Sequence, residues 1–238
     1  MRLQALIRSR IKAARKRGAL WARLLDVARL LPTAEGRSVL WTRLAHGREM
    51  HQTTPETAEE RYPELFDLVA RLAPAAKRIL SFGCSTGEEL AALRRRFPAA
   101  EIVGAEINSR SRRITARRIA GDPLTTVVPP DAIAGSFDLL LALAVFQREP
   151  HKIAEMQTQD LSLYYPFERF DAAVRDLAAR LRTGGLLCVD NAHYRVEDSS
   201  AAAELEPIRS SPVMTGLMFG PDGRQLHGIS AQTIFRKR

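Results

Sequence analysis

The chain has 238 residues, 45% of them hydrophobic, with 36 Lys and Arg against 27 Asp and Glu, a formal net charge of +9 and a pI near 10.2. That is enough apolar material for one substantial core plus an accessory segment, and the positive balance admits an anionic partner without specifying a fold or a reaction. Two distant cysteines, Cys84 and Cys188, argue against a disulfide framework or a Cys/His metal site, while the lack of a run near the ~20 apolar residues that span a bilayer, or of a secretory segment, leads us to expect a soluble cytoplasmic protein.

No acidic residue precedes Asp26, whereas Arg2, Arg8, Arg10, Lys12, Arg15, Lys16 and Arg17 crowd the same stretch and Leu3, Ile7 and Ile11 recur at helical spacing. The pattern predicts a basic amphipathic helix. Such a helix either packs by its apolar stripe with a solvated basic face or meets a membrane surface or nucleic acid. A helical pattern continues from Trp21 to Leu72, broken near Leu31-Pro32 and through His51-Gln52-Thr53-Thr54-Pro55, and no strand is expected before Arg78.

From Arg78 onward, short apolar runs alternate with charged helices, as a parallel sheet with crossover helices requires. Strands are expected at Arg78 to Phe82, Glu101 to Glu106, Thr125 to Val128, Phe137 to Val145 and Leu186 to Val189. Helices are expected at Glu88 to Arg96, Ser109 to Ala120 and Phe167 to Leu181, the last stopped by Thr183-Gly184-Gly185. Two final strands, Val213 to Phe219 and Gln232 to Phe235, follow around a Pro221-Asp222-Gly223 turn.

The segment Ser81 to Glu89, SFGCSTGEE, can be parsed in two ways. As G-x-S-x-G it imitates a nucleophile elbow, with Ser85, Asp190 and His227 in triad order, but no earlier strands or oxyanion loop precede it. As a glycine turn between strand and helix it is a cradle for a nucleotide-like cofactor. Glu106 follows Gly87 by about 20 residues, where such units place a carboxylate beneath a ribose diol. The glycines permit close backbone approach and the carboxylate accepts both hydroxyl protons; taken alone, Glu106 reads as an ordinary exposed strand-end acid, and only its coupling to the turn favours the ribose role. Glu88 and Glu89 at the helix start disfavour a pyrophosphate and suit a cationic cofactor without phosphate.

The stretches RILSFGCSTGEELAAL, EIVGAEIN, SFDLLLALAVF and LAARLRTGGLLCVD, in that order, resemble the motifs of class I S-adenosylmethionine-dependent methyltransferases. The first is similar to that of chemotaxis-receptor methyltransferases, but Leu90-Ala91 departs from their pattern, so their substrate is not carried over. The resemblance implies an α/β fold: a Rossmann-like, mainly parallel sheet with flanking helices (73–238), preceded by a helical N-terminal segment (1–72) that contributes to a substrate lid. It implies S-adenosylmethionine as cofactor. Gly83, Cys84, Ser85 and Gly87 would line the methionine part, Glu106 the ribose, and Ile107 and Asp131 the adenine. Ser81 and Ser85 stand where the family commonly has an acid and a glycine, so another group, for which Arg61 is the candidate, is expected to meet the amino-acid end.

Three functional classes follow: a methyltransferase acting on a small molecule, one acting on RNA or protein, and a non-catalytic adenosyl-binding module. We expect the first, because no added nucleic-acid module is evident. The acceptor is expected beyond the carboxyl ends of the strands, against the loop Gln147 to Pro166 with His151, Tyr164 and Tyr165, and the loop with Asp190, Asn191 and His193. His151, Tyr165, Asn191 and His193 are the candidate catalytic residues, with His46 and His51 as the alternative wall.

Overall fold

In the computed structural model, residues 27–52, 61–209 and 217–238 are described. The chain divides into two compact units, residues 1–47 and 48–238. The predicted basic helix lies outside the described residues. The described part of the first unit contains α1 (Ala34–His46). The Thr33 hydroxyl caps it by accepting the Gly36 N–H at 2.9 Å, which satisfies one of the donors a helix start leaves open.

The second unit begins its regular structure with α2 (Pro63–Leu72), whose proline occupies the first turn, where no N–H is needed. Leu65, Phe66, Leu68 and Val69 form its buried stripe. Five parallel strands follow: β1 (Arg78–Phe82), β2 (Glu101–Ala105), β3 (Thr125–Val128), β4 (Phe137–Leu143) and β5 (Leu181–Asp190). The helices α3 (Glu88–Arg96), α4 (Ser109–Arg118), the short α5 (Pro150–Glu155) and α6 (Phe167–Ala179) connect them. Beyond β5 come β6 (Leu205–Arg209), the hairpin β7 (Met218–Phe219) and β8 (Gln225–Leu226), and β9 (Ile234–Lys237).

The main sheet has the order β3-β2-β1-β4-β5-β9-β6, with β9 antiparallel to both of its neighbours. Successive side chains of a strand alternate between faces, and two cores follow from that. Leu80, Val103, Leu140 and Leu187 pack with Phe170, Val174 and Leu177 of α6 on one face. Ile79, Ile102, Leu139, Leu141 and Cys188 pack with α2 and α3 on the other. Both faces are covered, which is why these strands read as unbroken apolar runs.

The structure moves one predicted boundary for a definite reason. The helix α6 stops at Ala179, and β5 begins at Leu181, paired with Phe137, before the register shifts to Leu139 opposite Leu186. The glycines form an irregularity in the strand rather than a helix stop. Gly184 has φ +80°, and a Cβ on Gly185 would lie 2.9 Å from the Arg182 carbonyl and 3.1 Å from that of Asp138. The β6 strand, unexpected from sequence, carries Pro207 and lies at the sheet edge, where a missing N–H is tolerated. Met218–Phe219 pairs with Gln225–Leu226 in a separate two-stranded sheet, and the last main-sheet strand is Ile234–Lys237 rather than Gln232 to Phe235.

Candidate active site

The chain leaves β1 through three left-handed residues, Gly83 (φ 79°), Ser85 (φ 48°) and Gly87 (φ 92°). The turn is suspended from β2: the N–H groups of Gly83 and Cys84 both donate to the Ala105 carbonyl, at 2.7 and 3.2 Å. From behind, the Thr115 hydroxyl of α4 donates to the Ser85 carbonyl at 2.8 Å. A Cβ on Gly83 would fall inside contact distance of Val145 Cγ2, and one on Gly87 would lie 2.9 Å from Thr115 Cγ2. The first crowding is between the turn and the loop after β4, the second between the turn and α4. The glycines therefore serve close packing of the protein's own elements as well as any cofactor.

Glu106 lies at the centre of this arrangement. One carboxylate oxygen accepts the Ser85 N–H at 3.0 Å and the other the Asn108 N–H at 2.7 Å. Burial pushes its carboxyl up from the ordinary range, while the Asn108 and Ser85 N–H groups pull it back. A carboxylate offers about four acceptor sites, so two remain for a pair of hydroxyls. Asn108 then caps α4 by accepting from Arg110 and Ser111 at 2.9 and 3.0 Å, and Arg112 ties down the Glu106 and Ile107 carbonyls at 2.7 and 2.8 Å.

The two acids at the start of α3 have separate partners. Glu88 pairs with Arg118 at 2.7 Å and accepts from the Thr86 hydroxyl. Glu89 turns inward and accepts the Ser81 hydroxyl at 2.7 Å. Burial raises its carboxyl to about 7, against the opposing influence of Ser81 and Arg61. The acid absent from position 81 is thus supplied from the helix, through Ser81.

The remaining cofactor candidates are less enclosed. Ile107 is half-buried beside Glu106, and Asp131 is exposed on a 3-10 turn, Pro130–Ala132, after β3. Cys84 is buried beneath the turn, where Gly104 leaves room for its sulfur. Arg61 lies over the Tyr62 ring, 5.4 Å from its centroid, within electrostatic range of Glu89.

The catalytic candidates with described side chains have separate surroundings. Tyr165 is fully buried, its hydroxyl 2.6 Å from His51 Nδ1 and its carbonyl accepting the Tyr194 hydroxyl at 2.5 Å. His193 is buried between two carbonyls, that of Leu217 at 3.0 Å from Nδ1 and that of Arg148 at 3.4 Å from Nε2, and burial lowers its basicity. Neither geometry presents a base to a ligand. Asn191, with φ 54°, donates to the Tyr62 hydroxyl at 3.4 Å. His151 belongs to α5, with its side chain outside the described residues.

Tyr62 was not singled out from sequence, and Glu89 and Asp190, both noted there, were given no individual role. Asp190 had a signal, as the single acid closing the apolar run Leu186-Leu187-Cys188-Val189. His51 packs edge-on against Phe146 with ring centroids 5.0 Å apart. Its segment is pinned by Arg148, which donates to the Met50 and His51 carbonyls at 3.0 and 3.3 Å. No group of three or more potential metal ligands occurs among the described residues.

The elbow parse of Gly83 to Gly87 loses its chemistry here. Among the described residues the Ser85 hydroxyl and both Asp190 oxygens are buried without a hydrogen-bond partner, and His227 is exposed, so no relay joins them. The glycine turn with Glu106 beneath it keeps the geometry expected of a cradle. A family model described as a methyltransferase domain matches residues 57–229. The chain belongs to that family. It is a class I methyltransferase domain, and S-adenosylmethionine is the cofactor of such a domain.

Among solved structures, TehB from Haemophilus influenzae is 12% identical over 74% of this chain and 62% of its own, with a TM-score of 0.48. The N-methyltransferase NodS from Bradyrhizobium japonicum is 15% identical over 75% of this chain and 98% of its own, with a TM-score of 0.47. CalS10 from Micromonospora echinaspora, an amino pentose methyltransferase, is 20% identical over 60% of this chain and 53% of its own, with a TM-score of 0.42. The chain spans about half the length of several structures it matches, 53% of CalS10 and 41% of the StiE O-MT fragment. Among curated proteins no match was found. No helix of the described residues is long and apolar enough to cross a membrane.

Proposed function

We propose that the protein transfers a methyl group from S-adenosylmethionine to a small-molecule acceptor. The observation that carries this reading is Glu106, held beneath the glycine turn by the Ser85 and Asn108 N–H groups with acceptor capacity to spare. A diol fits that capacity, and the buried, unpartnered Ser85 hydroxyl at the same turn has room for one further partner. Glu89, poised near neutrality beside Ser81, suits a cationic amino-acid end. Arg61 is the complementary candidate for its carboxylate.

When bound, the cofactor supplies a methyl carbon already activated on a sulfonium, so the protein's work is alignment and exclusion of water. The turn and Glu106 fix the nucleoside. The segment around Met50 and His51, pinned by Arg148, contributes to the acceptor's cover. His51 and Tyr165 hold each other within that wall, acting as positioning residues rather than as a base, because burial and the Arg169 and Arg148 charges lower His51 to about 3.

A second reading, transfer to RNA or protein, is favoured by the +9 charge. Incubation with methyl-labelled cofactor and fractionated cell extract separates the two. Label in the small-molecule fraction is expected. Label confined to RNA or protein replaces that class, and S-adenosylhomocysteine binding without any transfer would leave a non-catalytic adenosyl-binding module.

A further inference from the structure

Asp190 ends β5 opposite Leu143 and is 2% exposed. Among the described residues neither of its buried oxygens has a partner in good hydrogen-bond geometry; burial pushes its carboxyl up, and only the neighbouring Asn191 N–H pulls it back. Alternation along the strand puts it on the face of Cys188 and Leu186, the face covered by α2 and α3. Tyr62 stands there at the start of α2, close enough for Asp190, Glu89 and Arg61 all to influence its phenol. The Tyr62 oxygen accepts from the Asn191 amide at 3.4 Å, which leaves its proton to give.

A buried carboxylate without a well-formed hydrogen bond is costly, and such a group in a native site calls for an explanation. What its surroundings lack is a donor with positive charge. Glu89 is tied through Ser81 to β1, directly under the cofactor turn. Asp190 is displaced from β1 by two strands, across β4, or ~10 Å at the usual strand spacing. The two acids therefore stand apart on this face, Glu89 under the glycine turn and Asp190 two strands beyond it.

We propose that Asp190, with the Tyr62 hydroxyl beside it, is the subsite for a protonated amine at the methyl-receiving position of the acceptor. The inference rests on the methyltransferase reading and narrows its substrate class to amines. An ammonium offers the donors and the charge that a hydroxyl cannot. In the transfer, the ammonium gives one proton to the Asp190 carboxylate, the nitrogen lone pair forms the new N–C bond, and the C–S pair returns to sulfur; the proton then passes to solvent.

The test uses two ligands on the full chain. S-adenosylhomocysteine has neither methyl group nor charge at sulfur, whereas sinefungin, its analogue with an amine where the transferred methyl would be, places an ammonium at the methyl's position, facing the proposed receiving subsite. Calorimetry on wild type is expected to show sinefungin binding at least about tenfold tighter. Asp190→Asn, which is isosteric and sheds an unpaired buried charge, should reduce that preference to within about threefold while leaving S-adenosylhomocysteine affinity within about threefold. Tyr62→Phe gives an independent reading and should lower the preference partway. No preference in wild type, or a preference that survives Asp190→Asn, overturns the amine subsite. Equal weakening of both ligands by Asp190→Asn overturns it too, assigning Asp190 to the cofactor's own ammonium. Failure of wild type to bind S-adenosylhomocysteine at all removes the methyltransferase reading together with this one.

Discussion

The Ser81 hydroxyl donates to Glu89 Oε1 at 2.7 Å, tying the end of β1 to the first turn of α3. Burial raises the Glu89 carboxyl from 4.5 to about 7, so the folded state binds this proton more tightly than the unfolded chain. Its contribution is fully present below about pH 4.5 and is lost as pH rises through about 7. Allowing for the partial exposure of the side chain, the loss is about 1–3 kcal/mol. Glu89→Gln should flatten stability across that interval. Urea midpoints at acid and neutral pH check it, and a variant whose midpoint falls as steeply as wild type would rule Glu89 out as the source.

Glu106→Ala should weaken S-adenosylhomocysteine by about 1–3 kcal/mol, the worth of charge-assisted bonds to two hydroxyls. Wild type should gain thermal stability with the ligand, and the variant should gain less. Because Glu106 also holds Ser85 and Asn108, the unliganded variant should itself melt lower. Unchanged affinity in calorimetry, with folding verified, would place the ribose elsewhere.

Gly83 is constrained twice, by φ 79° and by the Val145 side chain that a Cβ would strike. Gly83→Ala should destabilise by about 2–4 kcal/mol from strain and overlap together. Adding Val145→Ala should recover part of that loss, with a coupling of about 0.5–3 kcal/mol in a double-mutant cycle. Ser85→Ala, whose hydroxyl has no partner among the described residues, should stay within about 0.5 kcal/mol of wild type. Strict additivity of the first pair would show that the turn and the β4 loop do not touch.

His51 illustrates the opposite sign of linkage. Its imidazole is lowered from 6.5 to about 3, chiefly by burial and then by Arg169 and Arg148. The stability it contributes is present above about pH 6.5 and drains away as pH falls toward about 3. Its ring resonances in NMR should therefore stay those of neutral imidazole at pH 5. Tyr165→Phe removes its 2.6 Å partner and should cost about 1–3 kcal/mol, whereas the pair His51→Leu with Tyr165→Phe should cost less than the two single losses summed. Titration of His51 near its ordinary value would mean that the wall is open to water.

Parts of the α/β unit were legible in local pattern: the apolar centre of β1, the β-branched run of β3 and the charged helix α3 fall on the residues their patterns mark. The glycine turn itself was legible, since Gly83 and Gly87 fall where the chain takes a left-handed conformation. Other features depend on partners remote in sequence. Leu181 enters β5 through its pairing with Phe137, and β6 forms around Pro207 only because β9 supplies a neighbour. Tyr165 and His193 looked like loop chemistry but are clamped by His51, Leu217 and Arg148, and nothing local announces a clamp. Asp190 read as part of a chance triad and as a member of the acceptor loop, and its lack of a well-formed hydrogen bond among the described residues emerged only from the fold.

The place of β9 bears on how the molecule comes into being. Residues 234–237 slot between β5, which ends at residue 190, and β6. During synthesis the parallel half of the sheet can assemble from the amino end onward, but β5 keeps an open flank until more than forty further residues have left the ribosome. A nascent chain paused in that interval exposes a long apolar edge, the kind that templates pairing with another chain. Slow translation between residues 190 and 234 should accordingly lower the yield of folded protein without altering the stability of the molecules that finish.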